Sequence, residues 1–327
     1  MSVNIAKYMA RILSVFLVFL VFLSCKTEQK INPEIAKIDV DIQVERFDQE
    51  FYTASENDLL SLKQKFDFMF PKEVNDSVWI QKMKNEEDLL LYKKADSVFG
   101  DFESLIPEFE SLFQHITYNY PKFKVPRIIT HISGLDYEYP VIYADSLLFV
   151  SLDMFLGSEN EVYVSFPKYI SQNYNKENMM VSVASTIFQS FYQKHHSRIF
   201  LDKIINEGKL YYALDVLIPL ADDYLKIGYT QEKFNWAVSN ETDVWKYFME
   251  HELLYSSDAS LNTRFIDLAP FSKFYQASDN DSPGGIGKWI GWQIVRSYMK
   301  NNDVTLQQLM NTASDDIFRQ SKYKPRK

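Results

Sequence analysis

Residues 178–196 read NMMVSVASTIFQSFYQKHH, and no charge falls between Asn178 and Gln193. Met180, Ala184, Ile187, Phe188, Phe191 and Tyr192 recur at helical spacing and make one apolar face. The opposite face carries Ser182, Ser185, Thr186, Gln189, Ser190 and Gln193. A surface helix ordinarily places Lys and Glu there. Small neutral polar groups instead predict a helix shielded on both faces, with its polar stripe toward a cleft or an internal hydrogen-bond network. These six hydroxyl and amide side chains argue against a bilayer-crossing helix. The terminal pair His195 and His196 is adjacent, so on a helix the two rings diverge by about 100°. Zinc helices place two histidines at i,i+4 on one face. The pair reads as a solvated helix end, and His115 and His131 stand alone.

Around this stretch the pattern changes from strands to helices. Residues 36–47 (AKIDVDIQVERF) alternate, with Ile38, Val40, Ile42 and Val44 opposite Asp39, Asp41, Gln43 and Glu45. Period two predicts a strand with one wet face. Ser55 with Asp58 predicts a capping box for a helix to about Phe70, and 86–99 and 103–119 predict two more helices. Strand character returns at 127–133 and at 139–157, with Asp145–Ser146 as a turn. Helices then dominate: 177–195, 199–217, 230–254, 260–268 and 284–300, followed by two short C-terminal pieces. This order predicts an α+β domain, predominantly helical with a small sheet.

The N-terminus resembles an export signal. Lys7 and Arg11 precede the twelve apolar residues Ile12–Leu23, a run too short for a relaxed bilayer crossing. Ser24 and Cys25 follow, as at a bacterial lipoprotein cleavage site. Cys25 is the only cysteine in 327 residues, so no disulfide can form within the chain. The expected organisation is a signal peptide at 1–24, a lipidated tether at 25–35 and a single domain at 36–327. Acyl chains on Cys25 would hold the membrane. Lys26, where Asp would favour inner-membrane retention, points to an outer-membrane anchor facing the periplasm. Removing Lys7 and Arg11 leaves 33 basic against 44 acidic side chains, a net charge of −11. That balance argues against nucleic acid.

Other candidate sites are sparse. HELLY (251–255) begins like HExxH but ends in Tyr255. Glu241 falls in the apolar row Phe234, Ala237, Val238, Trp245 and Phe248. It is either a carboxylate on an apolar seam, needing a partner or a function, or a first-turn residue of a new helix begun at Asn240. In SPGGIGKWIGWQIVRSYM (282–299), Ser282–Pro283 reads as N-cap plus N1 proline. Gly287 and Gly291 lie i,i+4 inside the helix at about 1 kcal/mol each against Ala, which close helix approach must offset. Trp289 and Trp292 are candidate cleft or partner contacts, with core packing the default. No nucleophile elbow, Cys–His pair or dinucleotide fingerprint is present.

Taken together, LDMFLGSENEVY (152–163), KIGYTQEKFNWAVSNETDVWKYF (226–248), ELLYSSD (252–258), SPGGIGKWIGWQIVRSYM and the terminal SKYKP (321–325) resemble the gliding motility-associated lipoprotein GldB family of the Bacteroidetes. The chain departs from that pattern at Gly285, where a basic residue is frequent. The resemblance implies a noncatalytic cell-envelope lipoprotein needed for gliding. It would act through contacts with other gliding or envelope proteins and support type IX secretion. It also implies a distant likeness to zincins, with VASTIFQ (183–189) in place of the metal motif. Ser185, Thr186 and Gln189 would then replace the first His, the Glu base and the second His, and Glu241 would be a remnant third ligand. Such a set would leave no catalytic residue, metal or cofactor. The alternatives are a zinc-metallopeptidase-like hydrolase with a nonstandard site and a periplasmic ligand-binding lipoprotein.

Overall fold

The computed structural model describes residues 32–144, 146–192 and 196–325. Cys25, the tether to Ile31, Gln193 and His195 lie outside them. Residues Glu34–Lys327 cluster as one compact unit, and Ile35 is already buried.

The first half alternates short helices with a small sheet. Strand β1 (Val44–Glu45) leads into α1 (Phe47–Thr53), α2 (Leu59–Lys65), α3 (Asp76–Lys84), α4 (Glu86–Phe99) and α5 (Ile106–Asn119). Strands β2 (Arg127–His131), β3 (Val141–Ala144) and β4 (Leu147–Ser151) follow. The sheet order is β1-β2-β4-β3, with β1, β2 and β4 parallel and β3 antiparallel to β4. Ile128 pairs with Val44 on one side and Leu148 on the other, which fixes the register of the buried apolar rows. The capping box at Ser55–Asp58 is present, although the helix it opens is broken by a 3₁₀ turn at Asp67–Met69.

The predicted strand at 36–47 shrinks to two residues. Its alternation still holds: Ile38, Val40 and Ile42 are half-buried while Asp39, Asp41 and Gln43 are exposed. The segment is an extended edge whose neighbour β2 offers only five residues to pair with.

The second half is helical: α6 (Lys168–Ser171), α7 (Lys176–Phe191), α8 (Phe200–Leu217), α9 (Asp223–Ile227), α10 (Gln231–Ser239), α11 (Glu241–Glu250), α12 (Ser260–Phe265), α13 (Ile286–Asn301), α14 (Leu306–Asn311) and α15 (Ser314–Ser321). Helix α7 packs against β3 and α8, so it joins the sheet to the helical core. Its charge-free stripe is only partly shielded. Ser182, Ser185 and Thr186 are half-buried, whereas Gln189, Ser190 and Phe191 are exposed. The predicted helix 230–254 divides at Asn240, where the chain leaves helical geometry and Glu241 begins α11.

Helices α8 and α13 cross at their glycines. A Cβ on Gly291 would lie 1.8 Å from the Ile204 carbonyl oxygen, and one on Gly208 would lie 2.3 Å from the Gly291 oxygen. This backbone-to-backbone approach offsets the helix cost of Gly291. Gly287 meets the Phe265 carbonyl in the same way, at 2.7 Å. Trp289 and Trp292 are fully buried beside the crossing, stacked edge-on at 5.9 Å. They are core side chains and cannot meet a partner at the surface. Trp289 rests on Phe234 and Trp292 on Tyr211.

The start of α13 differs from the reading of Ser282–Pro283 as cap and first residue. Gly285 is the N-cap, in the left-handed region at φ 66°. The Ile286 N–H donates to the Ser272 hydroxyl (3.0 Å), which in turn donates to the Pro283 carbonyl (2.7 Å). Ser282 accepts from the Ser272 N–H, so the two serines clamp the loop to the helix start.

Candidate functional site

Three polar constellations stand out, and they differ in what they leave accessible. The first lies at the carboxyl ends of the parallel strands. Asp48 is fully buried and accepts two hydrogen bonds from Arg46 (3.0 and 2.7 Å) and one from the Thr130 hydroxyl. The Ser151 hydroxyl lies 3.1 Å from His131 Nε2. Burial lowers the His131 pKa from its ordinary value, against the opposing pull of the Asp153 and Asp48 carboxylates. Asp153 is fully buried and accepts from the Ser133 and Leu135 N–H groups (2.9 and 2.7 Å) and the Ser133 hydroxyl. It holds a turn in which both Gly134 (φ 76°) and Leu135 (φ 64°) are left-handed. Burial, reinforced by Asp88, Asp153 and Asp48, pushes the Tyr52 phenol far above the tyrosine range. Ser, His and Asp thus meet here, but Ser151 is fully buried and its oxygen cannot reach a substrate. The constellation braces the sheet.

The second surrounds the polar stripe of α7. Ser185, Phe188 and Gln189 line a small cleft of about 120 Å³ with Glu207, Leu210, Tyr211 and Leu214 of α8. Ser185 and Gln189 are one turn apart, so they share a face. The carboxylate lining that cleft with them is Glu207, not Glu241. Glu241 is buried and accepts from the Tyr323 hydroxyl at 2.9 Å, and it does not line the cleft. The break at Asn240 puts Glu241 in the first turn of α11. Glu207 escaped the sequence reading because it sits in an apolar helix without a motif around it. Among the described residues no cluster of three or more His, Cys, Asp or Glu side chains is arranged to hold a metal ion.

The third is a cavity of about 580 Å³ between the loop 158–175, the start of α7 and α9. Amide side chains shape it. Asn175 accepts from the Ser158 N–H (2.7 Å) and donates to the Gln172 carbonyl (2.8 Å). Gln172 donates to the Gly228 carbonyl (2.8 Å), tying the loop to the end of α9. Tyr163 donates to the Asp153 carbonyl (2.6 Å), and its ring meets Tyr174 and Phe166. A more apolar cleft of about 550 Å³ lies on the other side of α9, and Leu225 lines both.

Helix α9 is fixed to the core by charge. Arg296 binds Asp215 through Nε (2.7 Å) and Nη2 (2.6 Å) and Asp223 through Nη1 (2.6 Å) and Nη2 (2.8 Å). Lys226 joins Asp215 at 3.1 Å, and the Trp292 indole donates to Asp215 at 2.9 Å. Burial pushes Asp223 up, but Arg296 and Lys226 more than offset this and leave it below the usual carboxylate range. The network balances two acids with two bases, so it is a structural joint with no charge left for a ligand.

Fold and sites define a helix-rich α+β protein with polar clefts beside a closed helical core. Among the described residues no helix is long and apolar enough to cross a membrane. Residues 28–325 match the family model described as "Gliding motility protein GldB", and the chain belongs to that family. Comparison with curated proteins and with solved structures returns no match.

Proposed function

We propose that this chain is a noncatalytic, lipid-anchored protein of the cell envelope that supports gliding motility, and with it type IX secretion, by binding other envelope proteins. Family membership over residues 28–325 supports the gliding role. The observation that carries the noncatalytic reading is the cleft beside α7. Three positions converge there, as a zincin-like metal set would, but they hold Ser185, Gln189 and Glu207. Ser and Gln are poor zinc ligands at neutral pH, and one carboxylate does not complete a set. The domain is read as zincin-like on this convergence, with Thr186 at the position of the general base. Anchoring is assigned to acyl chains on Cys25, in the outer membrane facing the periplasm.

Two experiments test this. Deleting the gene in a gliding host should abolish spreading, and the full chain should restore it while Cys25→Ala should not. A deletion strain that still spreads overturns the gliding role. Second, the purified chain should carry no stoichiometric zinc, whereas Ser185→His combined with Gln189→His should bind one equivalent of Co²⁺ with visible absorption. Zinc in the parent chain overturns the noncatalytic reading. A double variant that folds but stays colourless overturns the zincin-like one.

A further inference from the structure

We propose that the amide-lined cavity between loop 158–175 and α9 binds a short neutral saccharide. Its volume, about 580 Å³, is that of a small-molecule site. Its polar walls are mainly uncharged amides and hydroxyls, and its apolar walls include aromatic rings. Each primary amide offers both donor and acceptor, which matches the paired donor and acceptor character of sugar hydroxyls. Tyr and Phe rings provide faces for the C–H surfaces of a pyranose.

The amides divide into two groups. Gln172 and Asn175 spend their N–H groups on backbone carbonyls and hold the walls in place. Asn178 is 4% exposed and lines the cavity. Its oxygen accepts from Asn175 at 3.4 Å, but among the described residues its amide nitrogen has no acceptor. The Asn173 side chain, also in the lining, has no hydrogen-bond partner among the described residues. A ligand oxygen accepting from these two amide nitrogens would take the place of water there.

Charge decides against other ligand classes. Glu159 and Lys168 sit at the rim with their side chains 86% and 92% exposed, and Glu161 is tied to Lys94. A phosphate or a peptide terminus would need a buried charged partner, and the lining has none. The proposal is independent of the gliding role.

Calorimetric titration of the folded chain with chitotriose, cellotriose and maltotriose tests it. At least one should bind with a Kd of about 1 mM or tighter. Asn178→Leu should weaken that binding at least about tenfold, because the site then meets a hydroxyl with no polar group. Should Asn178→Leu fail to fold, Asn173→Ala, at a half-buried position, should weaken binding several-fold. Absence of binding by all three sugars at millimolar concentration overturns the proposal, as does binding that persists unchanged in a folded variant.

Discussion

The α8–α13 crossing and the loop 158–175 solve the same problem in opposite ways. At the crossing, glycine backbones touch and tryptophans fill the flanks, so nothing but protein fits. In the loop, amide side chains take over the hydrogen bonding of irregular backbone and leave a cavity behind. Tight apolar packing uses up its surface. Polar bracing of a loop keeps walls rigid while leaving donors over. A functional cleft is therefore expected at the second kind of place, built on the stiffness of the first.

The sharpest way to break this contrast is Gly291→Val. Backbone atoms block the new side chain, so the chain should fail to fold or lose roughly 4 kcal/mol or more in urea unfolding. Arg296→Met should come next. It strands Asp215 and Asp223 and should cost about 3 kcal/mol, a value discounted because part of the network is wet. Asp153→Ala removes the acceptor for the Ser133 and Leu135 N–H groups and should cost about 2 kcal/mol by the same measurement. It should also increase hydrogen exchange at that turn.

A smaller effect is expected at Lys209, which is buried and donates to the carbonyls of Met310 and Thr312 (3.2 and 2.7 Å). Burial brings its pKa down to about 8. The unfolded chain therefore binds the extra proton above that pH, and stability should rise between pH 8 and 10. A shift of that size is worth at most about 2 kcal/mol across this window, read by urea unfolding. Lys209→Met should flatten the rise. Smallest of all, Gln189→Ala on the exposed part of α7 should stay within about 0.5 kcal/mol of the parent.

Periodicity made most of the helices legible. The boundaries of α4 follow the predicted 86–99 residue for residue, because Asn85 caps its first turn and accepts from the Asp88 N–H. The hairpin of β3 and β4 follows from two apolar runs around Asp145–Ser146. Parallel pairing of β1, β2 and β4 was not legible, since it depends on crossovers through helices that alternation does not encode. The sites were harder still. Asp48 and Asp153 are two acids among 44, and only burial marks them out. The amide cavity draws on residues from Ser158 to Thr230, none of which forms a motif alone. The polar stripe of α7 did point to a cleft, but its facing carboxylate, Glu207, lies on another helix and required the fold to be found.

The glycine crossing also constrains how this sequence can change. What each missing side chain makes room for is a carbonyl of the opposite helix, not a side chain. A clash between two side chains can be relieved by shrinking one of them. A clash with a backbone oxygen has no such second-site remedy. A genetic selection starting from a Gly291 variant should therefore return glycine at that codon, or rearrangements that reset the distance between α8 and α13, and not compensating substitutions at Ile204. The crossing is a point where the two helices can vary only together.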